Sequence, residues 1–204
     1  MDLVCEVPNF LNRKELELIN SSIDQYLINN EVEPNDVGHY SNREGQTVNV
    51  TTSKELKNID DLLFLKLSSD VIKDIIKDKL SPDLIFGYGD TGYEFHRYHP
   101  NHVCHEHKDG EFTIDREKRS DSLLRFASVV LHLNTCTSGG ELVFPMLDRR
   151  VKTEAGKLVI FPPYGWAKHY TEPSEQTRNV IVTWLVYNNI SINRLDKLKE
   201  YYQL

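Results

Sequence analysis

Residues 155–187 read AGKLVIFPPYGWAKHYTEPSEQTRNVIVTWLVY. Two apolar runs stand out in it: KLVIF at 157–161 and NVIVTWLVY at 179–187. Both are rich in Val, Ile and aromatic residues, and Gly, Pro or polar clusters bound them, which is the signature of β-strands. Working outward, LIFGY (84–88), GYEFHRY (92–98), RFASVVLHLN (125–134) and ELVF (141–144) repeat the pattern. Strands this dense after Leu84 predict a β-sandwich or jelly roll.

The chain before Leu84 has a different period. After Asn12, whose side chain suits an N-cap, Leu16, Ile19, Ile23, Tyr26 and Leu27 recur at helical spacing. A second helix is predicted from Asp60 to Leu80, with Leu63, Leu67, Val71, Ile75 and Ile76 as its stripe and Ser81-Pro82 as its stop. Between them, residues 31–53 are polar and broken by Pro and Gly, a long connection of the kind that lines sites. SINRLDKLKEYYQL, 191–204, reads as a capped amphipathic helix. The expected fold is α+β, mainly β: a double-stranded β-helix (jelly roll) core with N-terminal supporting helices. One domain is expected over 1–204, with helical support at 1–83, the core at 84–188 and a C-terminal helix at 189–204.

A chain of 204 residues is long enough to bury a core without disulfide or metal staples. Hydrophobic residues at 39% and charged residues at 27% are ordinary for a soluble globular protein. The net charge of -7 argues against a nucleic-acid binder, which needs a basic face to release phosphate counterions. Three cysteines, Cys5, Cys104 and Cys136, make no paired framework and suit a reducing compartment. MDLVCEVPNFLNRKE lacks the basic start and apolar run of a signal peptide, and no stretch of about 18 apolar residues exists to span a membrane. A cytoplasmic protein is expected.

HRYHPNHVCHEHKDG, residues 96–110, carries His96, His99, His102, His105 and His107, with Asp109 following. On a strand, residues two apart share a face, so His107 and Asp109 can grip one divalent ion together. A second histidine from elsewhere completes a facial triad with three open positions, the arrangement of non-haem Fe(II) oxygenases. Only His132 and His169 lie downstream. His132 sits inside an apolar run, whereas His169 follows the turn-rich FPPYGWAK and is easier to aim, so His169 is the choice. A histidine-rich surface loop is the competing account of this stretch. Arg178 opens the last long strand. An arginine inside a jelly roll is costly unless a carboxylate meets it, and its planar fork suits bidentate carboxylate binding. A co-substrate with a distal carboxylate, such as 2-oxoglutarate, would fit; an exposed arginine at the strand start is the competing account.

Together these residues resemble the 2-oxoglutarate- and Fe(II)-dependent oxygenases, most closely the prolyl hydroxylase branch. RYHPNHVCHEHKD (97–109) resembles that branch's Arg-Tyr, turn and His-x-Asp segment. GGELVFP (139–145) is similar to its Gly-Gly-Glu-Thr-x-Phe-Pro. AGKLVIFPP, His169, Arg178 and Trp184 resemble its closing strands in order and spacing, and PNFLNRKELELI (8–19) its N-terminal helix entry. The resemblance implies His107, Asp109 and His169 as iron ligands, Arg178 on the far carboxylate of 2-oxoglutarate and Tyr98 near that co-substrate. His132 stands where many members have a tyrosine that reaches 2-oxoglutarate. Asn101 replaces a turn glycine, and Cys104 replaces an aromatic position of the pocket wall, which bears on the substrate.

What the resemblance implies chemically is hydroxylation of an unactivated C–H bond, most directly of a prolyl residue in a protein or peptide, with succinate and carbon dioxide as co-products. A small-molecule substrate is the other possibility. Fe(II) and 2-oxoglutarate are implied, with ascorbate as accompanying reductant, and no catalytic side chain beyond the ligands. Residues 110–122 correspond to a region that often forms a flap. Three rival readings remain. A cupin would bind metal through His105, His107, Glu111 and His169. A jelly-roll binding module would have no catalysis, and a zinc hydrolase would leave Arg178 without a purpose.

Overall fold

The computed structural model describes residues 3–32, 45–80, 88–110, 125–187 and 190–202. Strand β1 (Cys5–Val7) leads into helix α1 (Arg13–Asn29). Asn12 caps α1 in a reciprocal box: its side chain accepts from the Glu15 N–H at 3.0 Å, and its own N–H donates to the Glu15 carboxylate at 2.8 Å. Strand β2 (Gln46–Asn49), helices α2 (Lys57–Leu67) and α3 (Asp70–Lys79), and strands β3 (Tyr88–Asp90) and β4 (Glu94–Tyr98) follow. Then come β5 (Arg125–His132), β6 (Leu142–Phe144), β7 (Arg149–Val151), β8 (Leu158–Phe161), β9 (Tyr170–Thr171), β10 (Arg178–Tyr187) and helix α4 (Ile190–Tyr202).

The larger sheet runs β1-β8-β5-β10-β4-β2, with β3 also on β10; the smaller runs β7-β6-β9. All pairings are antiparallel. This is the expected jelly roll with helical support. The alternation along the central strands explains why they read as unbroken apolar runs. Val129 and Leu131 of β5, Leu158 and Ile160 of β8, and Ile181 and Leu185 of β10 pack with helix residues Ile19, Ile23, Leu63 and Ile72. Their neighbours Val130, Val159, Phe161 and Val180 face the other way and pack with Leu142, Phe144 and Val151 of the smaller sheet. With both faces covered, no polar alternation survives.

Three expectations change. The predicted helix from Asp60 to Leu80 is two helices, α2 and α3. The Ser68 and Ser69 N–H groups close the end of α2 on Phe64 and Lys66 carbonyls, and Ser69 starts α3 in an extended conformation. Val71, assigned to the buried stripe, is 63% exposed because that break rotates α3. The long connection at 31–53 contains β2, which pairs with β4 from Gln46↔Arg97 to Asn49↔Glu94. The LIFGY expectation falls outside the described residues except for Tyr88, and so does most of the 110–122 flap.

The front and rear of the chain are tied by a buried ionic cluster. Asp60 and Asp61 of α2 are 2% and 7% exposed. Arg194 of α4 meets Asp60 at 2.5 Å and Asp61 at 3.2 Å and lies over the Phe64 ring. Among the described residues, no helix is long and apolar enough to cross a membrane.

Candidate metal centre

His107 and His169 form an isolated antiparallel bridge, each N–H donating to the other's carbonyl at 2.9 Å. Beside it, the Cys104 N–H donates to the Thr171 hydroxyl at 2.8 Å, and the Thr171 N–H donates to the Cys104 carbonyl at 3.0 Å. Two segments remote in sequence are therefore locked in register at the point where their histidines project. The rings lie 4.4 Å apart, centroid to centroid.

Each imidazole is oriented by its own backbone. The Nδ1–H of His107 donates to the His105 carbonyl at 2.7 Å, and that of His169 to the Ala167 carbonyl at 3.0 Å. Both rings thereby offer Nε2 inward, the arrangement that fixes tautomer and direction in metal-ligating histidines. Asp109 Oδ1 is 3.3 Å from His107 Nε2, and Oδ2 is 3.8 Å from His169 Nε2. Ligand atoms of His107, Asp109 and His169 all fall within 4.8 Å of one another. The three residues selected from the sequence come together, and among the described residues no other group of this kind forms.

The electrostatics follow. Burial alone would raise the Asp109 pKa, but the His107 hydrogen bond and the His169 charge outweigh it and hold the carboxyl well below its usual range. Burial would lower the His107 pKa, yet the Asp109 and Cys104 contacts raise it. An anionic site flanked by two imidazoles is ready to exchange protons for a divalent cation.

The cavity beside the triad is lined by Tyr98, Cys104, Val180, Trp184 and Arg178. Arg178 is 4% exposed, lies 5.0 Å over the Tyr98 ring, and has no carboxylate partner among the described residues. Its Nε finds no hydrogen-bond acceptor. A buried guanidinium left this way calls for an anion. His132 is 0% exposed, and neither ring nitrogen has a partner. It lies opposite Val180 across β5 and β10, diagonal to Arg178 on the inner face. The donor set and the unmatched cation thus fit Fe(II) and a dicarboxylate.

The remaining histidines stay apart. His96 is buried and bonds Thr47 through Nδ1 at 3.0 Å. His99 and His102 stack edge to face at 5.5 Å. Asn101 takes φ +66, the left-handed geometry expected of it in place of glycine. His105 is exposed and outside the triad, contrary to what a cupin site requires; Glu111 lies outside the described residues. Cys104 is buried on the cavity wall with its sulfur 3.7 Å from His107 Nδ1.

Arg125 was not singled out from the sequence. Its guanidinium donates to the Asp109 carbonyl at 2.8 Å and stacks over the Trp184 ring at 3.9 Å, bracing the ligand segment against β10. Its only sequence signal is an arginine heading an apolar strand, which is too common to be read.

Residues 93–186 match the 2OG-Fe(II) oxygenase superfamily. No curated protein matches the chain in sequence. Among solved structures, the chain is similar to the viral collagen prolyl hydroxylase of Paramecium Bursaria Chlorella virus-1 in its 2OG complex, at TM-score 0.64 and 21% identity over 92% of this chain and 97% of that one. A Pseudomonas putida prolyl-4-hydroxylase is similar at TM-score 0.63 and 20% identity, covering 91% and 93%. A Trichoplax adhaerens prolyl hydroxylase, solved with a hypoxia inducible factor oxygen degradation domain peptide fragment, is similar at TM-score 0.65 and 15% identity, covering 92% and 84%. Identities this low speak for a shared fold.

Proposed function

We propose that the chain, whose residues 93–186 match the 2OG-Fe(II) oxygenase superfamily, is an oxygenase that hydroxylates a prolyl residue of a protein or peptide. Fe(II) is the cofactor of this family and 2-oxoglutarate its co-substrate. We read residues 1–204 as one such domain, with ascorbate as accompanying reductant. A sparse set of three cysteines favours a cytoplasmic address.

The carrying observation is one cavity lined both by the His107, Asp109 and His169 cluster and by a buried arginine that meets no carboxylate among the described residues. His107, Asp109 and His169 would hold the metal through two Nε2 atoms and a carboxylate. Arg178 would take the distal carboxylate of 2-oxoglutarate bidentately, with Tyr98 beneath its guanidinium and His132 as an added donor. When bound, Fe(II) and 2-oxoglutarate would supply the oxidising chemistry, with dioxygen as oxidant and one oxygen atom passing to a substrate C–H bond while the other leaves in succinate beside carbon dioxide. The chain's own work is to bind, to orient and to exclude water. Apolar Val130, Val180 and Val182 line the cavity and keep water from the reacting centre. No side chain is needed as a general base.

The prolyl reading draws on the fold shared with prolyl hydroxylases, one of them solved with a peptide. Anaerobic titration with Fe(II) and then 2-oxoglutarate tests the site: a weak visible charge-transfer band should appear. Its absence from protein of proven metal content would overturn the assignment. Proline-containing peptides that stimulate succinate release and gain one oxygen atom by mass would establish the substrate class. Stimulation by free amino acids instead would replace it.

A further inference from the structure

His132 is a fully buried imidazole with both nitrogens unsatisfied, on the same sheet face as Arg178 and one diagonal step from it. Leaving a buried donor or acceptor unpaired is costly, so the ring is suited to a ligand atom. Among the described residues, the charged and titratable groups on the strands beside it come from three elements. Arg178 is on β10, Tyr98 is on the neighbouring β4, and Lys157, whose carbonyl accepts the His132 N–H at 2.9 Å, precedes β8. The Lys157 ammonium is engaged by Glu6 and Glu154, each at 2.8 Å. Among the described residues, Arg178 is therefore the unneutralised charge that acts on the ring.

We propose that His132 is a proton-coupled co-substrate residue: it is neutral in the ligand-free protein and takes up a proton when a dicarboxylate settles on Arg178. This rests on the reading of Arg178 as the distal-carboxylate anchor. Burial first, then the Arg178 and Lys157 charges, hold the free imidazole well below its ordinary pKa. A carboxylate on Arg178 cancels the larger repulsion and places a negative charge beside the ring. The second nitrogen then gains a proton from solvent, and both ring N–H groups become donors. Linkage sets the sign. A proton gained on binding means that affinity falls as pH rises through the pKa of the complex, by up to about tenfold per pH unit.

The experiment is calorimetric titration of 2-oxoglutarate into protein loaded with Mn(II), in buffers of different ionisation enthalpy, from pH 6 to 8.5. Wild type should take up a fraction of a proton per ligand, and its Kd should weaken several-fold across the range. His132→Gln keeps a hydrogen-bond donor but cannot titrate in this range; it should bind with no such uptake and a flatter pH profile. Equal proton uptake in both proteins, or none in wild type, overturns the proposal while leaving the co-substrate site intact. If metal-loaded wild type binds no 2-oxoglutarate at any pH, the reading of Arg178 itself fails.

Discussion

His107 and His169 exchange both of their backbone hydrogen bonds at 2.9 Å, although they belong to segments far apart in the chain. The bridge is a single residue pair, yet it sets the separation of two imidazoles whose Nδ1 protons are already committed to backbone carbonyls. Preorganisation of this kind lets a metal bind without reordering its ligands.

Asp109→Ala should weaken Mn(II) or Fe(II) binding by more than the roughly 10–100-fold cost of losing an outer partner, and His169→Ala should do the same. His105→Ala should change it little, because the His107 ring is held by the backbone carbonyl of residue 105 and not by its side chain. Calorimetric metal titration of the three variants checks this, and loss of metal in His105→Ala would favour a cupin-type site.

Arg178→Met should act in opposite directions on stability and binding. The arginine is buried without a carboxylate among the described residues, so an apolar side chain of similar length removes an uncompensated charge at the cost of the contact with Tyr98. The ligand-free Tm should hold or rise; a gain of about 1 kcal/mol is roughly 2–4 °C in a chain this size. Affinity for 2-oxoglutarate should fall at least about 30-fold, the lower end of the roughly 2–5 kcal/mol for truncating a paired charge. A Tm that drops sharply would make the arginine a support of the fold.

Stability should decline on acidification partly because of His132. Its folded pKa is depressed below the value near 6.5 of an exposed histidine, by burial and then by Arg178 and Lys157. Below about pH 6.5 the unfolded chain binds a proton that the folded chain refuses. The stabilisation is thus complete above that pH and is lost as pH falls from there toward the folded value. Urea midpoints at pH 7.5 and 5.5 should fall further apart in wild type than in His132→Leu.

Gly139→Ala should cost more than about 2 kcal/mol. Gly139 has φ +70, where a side chain costs about 1–2 kcal/mol by itself. An added Cβ would also sit 2.0 Å from the Pro173 carbonyl oxygen, at the Gly139↔Ser174 bridge. Thermal unfolding should show a Tm loss of several degrees. The same change at Gly165, where a Cβ meets nothing within 4 Å, should be nearly neutral.

The local rules of the chain determined much of this molecule. Alternating burial on both faces makes β5, β8 and β10 continuous apolar runs, which are legible as strands without any partner. Asn12 and Glu15 announce the start of α1 by chemistry confined to four residues. His-x-Asp spacing pointed to two neighbouring ligands, although residues 107–109 form a single bridge and a bend instead of the expected strand, and the turn-rich segment before His169 singled it out over His132.

Tertiary structure decided the rest. β7 and β9 are three and two residues long, too short to carry a period, and exist because β6 lies between them. The division between α2 and α3 turns on two serines that helical spacing passes over. That His169 meets Asp109 while His132 lies diagonal to Arg178 is set by how remote segments align, and register is a property of the pair and not of either strand. Whether a buried arginine has a partner is likewise a fact about everything packed around it, which no periodicity in its own segment records.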